Sequence, residues 1–218
     1  IGFFDGVHRG HQYLIGQLRR EASALGLGSM LVTFDRHPRQ VLHADYVPSL
    51  LSTLDEKVEL LRQTQVDEVH VLHFTPEMAS MDAQQFMREV LADELHVAVL
   101  LMGYDHRFGR GGGTFPEYCA WGREAGIQVM LASALPGEKV SSSVIRRLLS
   151  QGDVTGADEL LGRPYRLTGM VRGGHRVGRL LGFPTANISL PAGKLIPAGG
   201  DYAVRVQIPD GAWRGGMV

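Results

Sequence analysis

Gly2-Phe3-Phe4-Asp5-Gly6-Val7-His8-Arg9-Gly10-His11 decides the fold of this chain. Ile1 to Phe4 reads as the stub of a first strand. Leu14, Ile15, Leu18, Ala22 and Leu25 then recur at helical steps, so one face of a helix is buried until Gly26 and Gly28 stop it. A glycine-rich turn at such a junction leaves the first backbone amides of the helix facing an anion. In open α/β sheets ligands bind beyond the carboxyl ends of the strands, so this turn is where a site is expected. Gly6 and Gly10 are read as removing Cβ atoms that would hold a phosphate away from the backbone. His8 and His11 stand within reach of that phosphate, and imidazoles can donate to its oxygens as charge builds in an in-line displacement. A zinc site would need a third ligand, and none is obvious beside the two histidines.

Outward from this turn, short apolar runs alternate with amphipathic stretches as far as Leu161, which predicts β-α units on a parallel sheet. Strands are expected at Ser29 to Phe34, Val69 to Phe74, Val97 to Met102 and Ile127 to Ala132. Thr53 with Glu56, and Asp82 with Gln85, read as helix-start caps. Leu54, Val58 and Leu61 should face inward behind the first, and Phe86, Val90 and Leu91 behind the second. A glycine-rich loop spans Gly103 to Gly113, a helix lies around Tyr118 to Ala125, and two short helices cover Ser143 to Ser150 and Val154 to Leu161. After Gly162-Arg163-Pro164 the pattern becomes strand-like, at Tyr165 to Val171, Ala186 to Leu190 and Tyr202 to Ile208. The expected division is therefore an α/β domain over 1–162 and part of an all-β module over 163–218. That second part is shorter than the size at which a domain usually closes a core. The opening at Ile1 is read as a first strand lacking its start.

Composition narrows the classes of function. The 218 residues are 44% hydrophobic and 21% charged, enough for a sizeable core. Lys and Arg number 22 against 23 Asp and Glu, a formal charge of −1, so there is no basic excess to neutralise a nucleic-acid backbone. Cys119 is the single cysteine, and no apolar run approaches a membrane span, so a cytoplasmic protein is expected. Oligomeric state is not legible.

A second signal is Val140-Ser141-Ser142-Ser143-Val144-Ile145-Arg146. Hydroxyls before a helix commonly serve only as caps. With Arg146 one turn inside they also form an anion site, at the sheet end that carries the histidines.

GFFDGVHRGH resembles the nucleotidyltransferase pattern ending in His-x-Gly-His, and SSSVIR resembles that superfamily's second pattern. Thr33-Phe34-Asp35-Arg36-His37-Pro38, Gly103-Tyr104-Asp105-His106-Arg107-Phe108-Gly109 and Gly182-Phe183-Pro184-Thr185-Ala186-Asn187 complete an ordered set. The whole is similar to the bacterial bifunctional riboflavin kinase and FMN adenylyltransferase family, also called FAD synthetase. The resemblance implies a Rossmann-like nucleotidyltransferase domain followed by an incomplete barrel-type riboflavin kinase module. It further implies that His8, His11 and Arg146 are catalytic and that Gly2, Phe3, Asp5, Gly10, Ser142, Ser143 and Asp105 bind the nucleotide. His37 and Pro38 fall on the flavin side. Thr185 and Asn187 would hold magnesium and ATP in the kinase module, behind a segment with Gly169, Gly173, Gly174 and Gly178. The substrates implied are ATP with FMN or riboflavin, the product FAD, and the metal Mg2+. Arg36 replaces a common proline and His106 a common aromatic residue. The kinase's general base lies, in the family, beyond the Pro-Thr-Ala-Asn motif, where this chain offers no clear carboxylate; kinase activity is not credited to these 218 residues, and either the parent protein continues, its second module then phosphorylating riboflavin to FMN, or the chain has only the first activity. Other readings are a nucleotidyltransferase for pantetheine phosphate or glycerol phosphate, against which Pro-Thr-Ala-Asn counts, and a flavin or nucleotide binder without turnover.

Overall fold

The helical period after the opening turn folds as α1 (Arg9–Leu25) in a computed structural model that describes residues 1–42, 45–104, 106–137, 140–174, 182, 185–208 and 211–218. Asp105, Gly178, Phe183 and Pro184 lie outside the described residues. His8 is the N-cap of α1, its side chain accepting from His11 N, and Gly26 ends the helix at φ 66°. Ile15 and Ala22 are buried, and Leu14 and Leu18 pack on Phe4, Val7, Leu31 and Leu61. Leu25, expected on the same face, is exposed because the last turn runs past that cluster.

β1 (Met30–Phe34) is followed by α2 (Pro38–Leu42), α3 (Leu54–Arg62) and β2 (Glu68–Leu72). β1 and β2 pair in parallel, Met30 opposite Glu68 and Phe34 opposite Leu72. α4 (Pro76–Ser80) and α5 (Ala83–Phe86) come next, and α5 continues as a π-helical stretch over Met87–Glu94. β3 (Val99–Met102), α6 (Phe115–Glu124) and β4 (Gln128–Leu131) form a second parallel pair with its crossover helix. One core joins both pairs: Val32, Phe34 and Leu72 with Leu100 and Met102, closed by Phe86, Val90, Leu91 and Tyr118.

The described ladders are two parallel pairs rather than the single sheet expected. Residues 1–4 enter neither. Gly2 N donates to Val32 O at 2.9 Å, after which Phe4 turns into the left-handed region at φ 52° and the extended run stops. The capping box of Thr53 and Glu56 forms as read, but the inward face of α3 differs. Glu56, Lys57 and Leu61 are buried, while Leu54 and Val58 line a surface hollow of about 690 Å³ with Arg62 and Val71. Polar contacts set this rotation: Glu56 meets Lys194, and Lys57 donates to the Phe34 carbonyl.

α7 (Ser142–Ser150) and α8 (Val154–Leu161) bury Ile145, Leu149, Ala157 and Leu161 against Leu51. Beyond them the described strands are antiparallel: β5 (Met170–Arg172) with β6 (Asn187–Ser189), and β7 (Ala203–Gln207) with β8 (Trp213–Met217). The first is shorter than expected: the Tyr165 backbone N–H is taken by Asp158 Oδ1 at 2.7 Å, and its hydroxyl donates to Leu195 O at 2.7 Å. β8 was not anticipated, since Gly215 and Gly216 interrupt its pattern.

Two helical glycines separate packing from propensity. A Cβ on Gly16 would meet only the flexible tip of Arg20, whereas one on Gly122 would lie 2.5 Å from Val129 and 2.7 Å from the Ile127 carbonyl. Gly16→Ala should raise stability by about 1 kcal/mol, the ordinary helix preference. Gly122→Ala should lower it by about 1–3 kcal/mol through overpacking. Thermal unfolding of both variants checks this, and a stabilised Gly122→Ala would contradict the packing of α6 on β4.

Candidate active site

The turn before α1 is a strained piece of backbone held from every side. Phe4, Gly6 and Val7 have φ of 52°, 75° and 39°. A β-branched residue there persists only when its surroundings over-determine it. The Asp5 carboxylate, 3% exposed, accepts from Leu51 N and Ser52 N at 3.0 Å, from Ser52 Oγ at 3.2 Å and from Arg146 Nη2 at 2.6 Å. Gly6 N donates to Ser52 Oγ. The turn's carbonyls are bound as well: Asp5 O by Ser142 Oγ at 3.1 Å, Val7 O by Gln12 Nε2 at 2.8 Å, and Gly6 O and Val7 O by Arg163. Asp5 thus lies beneath the turn as its brace.

The space left by the glycines is taken by protein. A Cβ on Gly6 would lie 2.9 Å from Leu51, one on Gly10 3.2 Å from the His8 ring, and one on Gly2 3.2 Å from the Phe4 ring. Gly10 lets His8 lie across the first turn of α1. The His8 and His11 rings stack, centroids 3.6 Å apart and planes 14° from parallel, with Phe4 edge-on to His11. His8 Nδ1 accepts from His11 N at 3.3 Å, which assigns its proton to Nε2 in the neutral form. Burial pulls His8 down to about 4, against the attraction of Asp5, and His11 well below its ordinary value, helped by His8 and His106. His106, after β3, is also brought to about 4 by burial. His11 Nδ1 and His106 Nε2 are buried without a protein partner. The site therefore offers neutral ring nitrogens to a ligand.

α7 meets the same turn. Ser141 caps the helix by accepting from Val144 N, Ser142 reaches Asp5, and Ser143 is exposed. Arg146 donates from Nε to Ser49 O at 2.7 Å and from Nη2 to Asp5, so two of its three nitrogens are committed to protein. The paired imidazoles and the hydroxyl-guanidinium group thus meet at residues 5–11. His37 joins them, edge-on to Phe3 at 4.7 Å and near Tyr46 at 5.4 Å, with Pro38 beginning α2 behind it. Burial, then the Arg146 charge, lowers the His37 pKa. A cavity of about 590 Å³ opens beside His106 at the carboxyl ends of β3 and β4, lined also by Gly103, Tyr104, Arg107 and Leu131.

Thr185 is exposed and Asn187 opens β6 opposite Arg172; no described hydrogen bond links either to the histidines. Among the described residues no group of three or more His, Cys, Asp or Glu is placed to hold a metal. Sequence reading missed several residues at the site. Lys57, 2% exposed, donates to Phe34 O and sits 4.0 Å from the Phe3 ring centroid; burial lowers it to about 8. Gln12, Ser52 and Arg163 hold the turn. Arg163 entered the sequence reading only as part of the Gly162-Arg163-Pro164 boundary.

Comparisons with known proteins agree on a family. The FAD synthetase family matches residues 1–144 and the riboflavin kinase family residues 161–218. The bifunctional riboflavin kinase/FMN adenylyltransferase of Haemophilus influenzae is 36% identical over 214 residues, covering 97% of this chain and 69% of that protein. The Bacillus subtilis protein of the same name is 34% identical over 220 residues, covering 99% and 69%. The chain thus spans somewhat more than two thirds of these relatives. A crystal structure described as a macrolide-efflux protein from Streptococcus pneumoniae superposes at TM-score 0.85 with 30% identity, covering all of this chain and 71% of that one. Efflux belongs to the description of that protein; among the described residues here, no helix is long and apolar enough to cross a membrane. By family match and by relatives alike, the chain belongs to the bifunctional riboflavin kinase/FMN adenylyltransferases, the FAD synthetase family.

Proposed function

We propose that this chain transfers the adenylyl group of ATP to FMN. A phosphate oxygen of FMN attacks the α-phosphorus, the bond to the β-phosphate oxygen breaks, and FAD and pyrophosphate form. The observation that carries this reading is the convergence of the stacked His8 and His11 and of Ser142 and Arg146 on one braced turn. His8 Nε2–H and His11 donate to the α-phosphate as its charge grows. Arg146 and Ser142 hold the β- and γ-phosphates, and Lys57 adds positive charge beneath. The cavity beside His106 is of a size for a nucleoside; Asp105, next to His106 in the sequence, is the residue that the family resemblance assigns to the nucleotide. His37 and Pro38 stand on the flavin side.

Magnesium fits as a metal carried by the phosphates, because Asp5 has both oxygens on protein donors. When bound it neutralises phosphate charge. In the part over 163–218 we place the riboflavin kinase module, with Thr185 and Asn187 toward Mg-ATP. The division at 162 follows the change from parallel to antiparallel pairing. For the first part we propose a Rossmann-like sheet in which residues 1–4 join the two pairs, supported by the Gly2–Val32 hydrogen bond and the shared core. A barrel is proposed for the second part, and the cytoplasm as the compartment.

Incubation with ATP, magnesium and FMN, followed by chromatography, should yield FAD; no FAD from FMN would overturn the reading. His8→Ala should lower turnover by about 10²–10³ while leaving ATP affinity nearly intact, as expected for a group acting in the transition state. Equal turnover would contradict the role of His8.

The buried histidines also predict a pH dependence. His8 and His106 take up protons near their ordinary value of 6.5 when unfolded, but only near 4 when folded. Between these values the unfolded chain binds more protons, so stability is full above about pH 6.5 and is lost as pH falls toward 4. The melting temperature should drop between pH 7 and pH 5, and should drop less in His106→Phe. An unchanged slope in that variant would contradict the burial of His106.

A further inference from the structure

The four residues 49–52 lie between the phosphate turn and the chain beyond α8. On one side Leu51 N and Ser52 N donate to Asp5, and Ser49 O accepts from Arg146 Nε. On the other, Leu50 N donates to Gly193 O at 2.7 Å, and Leu50 O accepts from Leu195 N at 2.8 Å. Leu51 carries both sets, since its carbonyl accepts from Lys194 Nζ at 2.8 Å. Lys194 also donates to Glu56 Oε2 at 2.6 Å, and the two side chains are 1% and 4% exposed. The Tyr165 ring centroid lies 4.7 Å from Nζ. A second grip lies on α7, which bears Arg146: Leu149 O accepts from Ala198 N at 2.9 Å.

A buried ion pair can be no more than a fastening between two parts of a chain. This one differs in that only one residue, Leu51, intervenes between it and the site, linking Lys194 to Asp5, and Asp5 pairs directly with Arg146. We infer that Lys194 is a positioning residue for adenylyl transfer, acting through residues 49–52 on Asp5 and Arg146, so that the chain beyond α8 sets the grip on ATP of the part before it. The inference rests on the function proposed above.

A double-mutant cycle tests it, with steady-state adenylyl transfer and ATP titration calorimetry as readouts and thermal unfolding as the check on folding. Lys194→Gln should raise the KM and dissociation constant for ATP by about fivefold or more. Its kcat at saturating ATP should change by less than about twofold. In an Arg146→Ala background the same substitution should change ATP affinity by less than about twofold, because the group through which it acts is gone. A purely structural role would give the same loss in both backgrounds. That result, or unchanged ATP affinity in folded Lys194→Gln, overturns the inference. If Lys194→Gln unfolds the chain, Glu56→Gln/Lys194→Met, which leaves neither charge buried, replaces it in the cycle. A parent chain that binds ATP but makes no FAD defeats the functional reading and leaves the cycle readable on affinity. A parent chain that binds no ATP defeats both.

Discussion

The Asp5 carboxylate is the constraint on which the site depends. It is buried, and it gathers Leu51, Ser52 and Arg146 from parts of the chain far apart in sequence. Without those donors a turn with Phe4, Gly6 and Val7 at positive φ would relax toward extended backbone. With them, the turn delivers His8 to the N-cap of α1 and fixes the guanidinium of α7 above it. Hydrogen bonds to a charged acceptor in a buried setting are the stronger kind, and leaving one partner unmet there carries the full desolvation penalty.

Burial also decides what the site can do electrically. His8, His11 and His106 are all held below their ordinary values chiefly by desolvation, so their rings are neutral near pH 7. Fixed positive charge comes instead from Arg146, Arg163 and Lys57, which the protein anchors to Asp5 or to backbone carbonyls. Donors aimed at a phosphate need little reorganisation during reaction, the condition under which they lower a barrier most.

What was legible in the sequence was local. The α1 stripe, the Thr53–Glu56 box, the inward Phe86, Val90 and Leu91, and the bounds of α8 all rest on neighbours within a turn or two. The patterns over Gly2 to His11 and Val140 to Arg146 were visible for the same reason. Contacts closed over long sequence distances were not. Nothing near Lys57 or Glu56 marks the face on which they are buried, because their partners are Phe34 and Lys194. Arg163 marked only the boundary at Gly162-Arg163-Pro164, yet it holds Gly6 and Val7. Gly6 and Gly10 were read as room for phosphate, whereas Leu51 and the His8 ring occupy that room. His106 was noted only as a departure from the family pattern; its buried nitrogen appears once β3 and α1 are brought together.

A carboxylate at position 5 is what organises the phosphate site proposed above. Asp5→Asn keeps the shape but turns an NH2 group toward the N–H donors of Leu51 or Arg146. It should leave a buried donor unmet at about 1–3 kcal/mol. Adenylyl transfer by Asp5→Asn is the direct measurement: kcat/KM for ATP should fall by about tenfold to a hundredfold in a chain that still folds. A folded Asp5→Asn with kcat/KM within about twofold of the parent would contradict the account, since a brace of this strength cannot be removed without a change of that size.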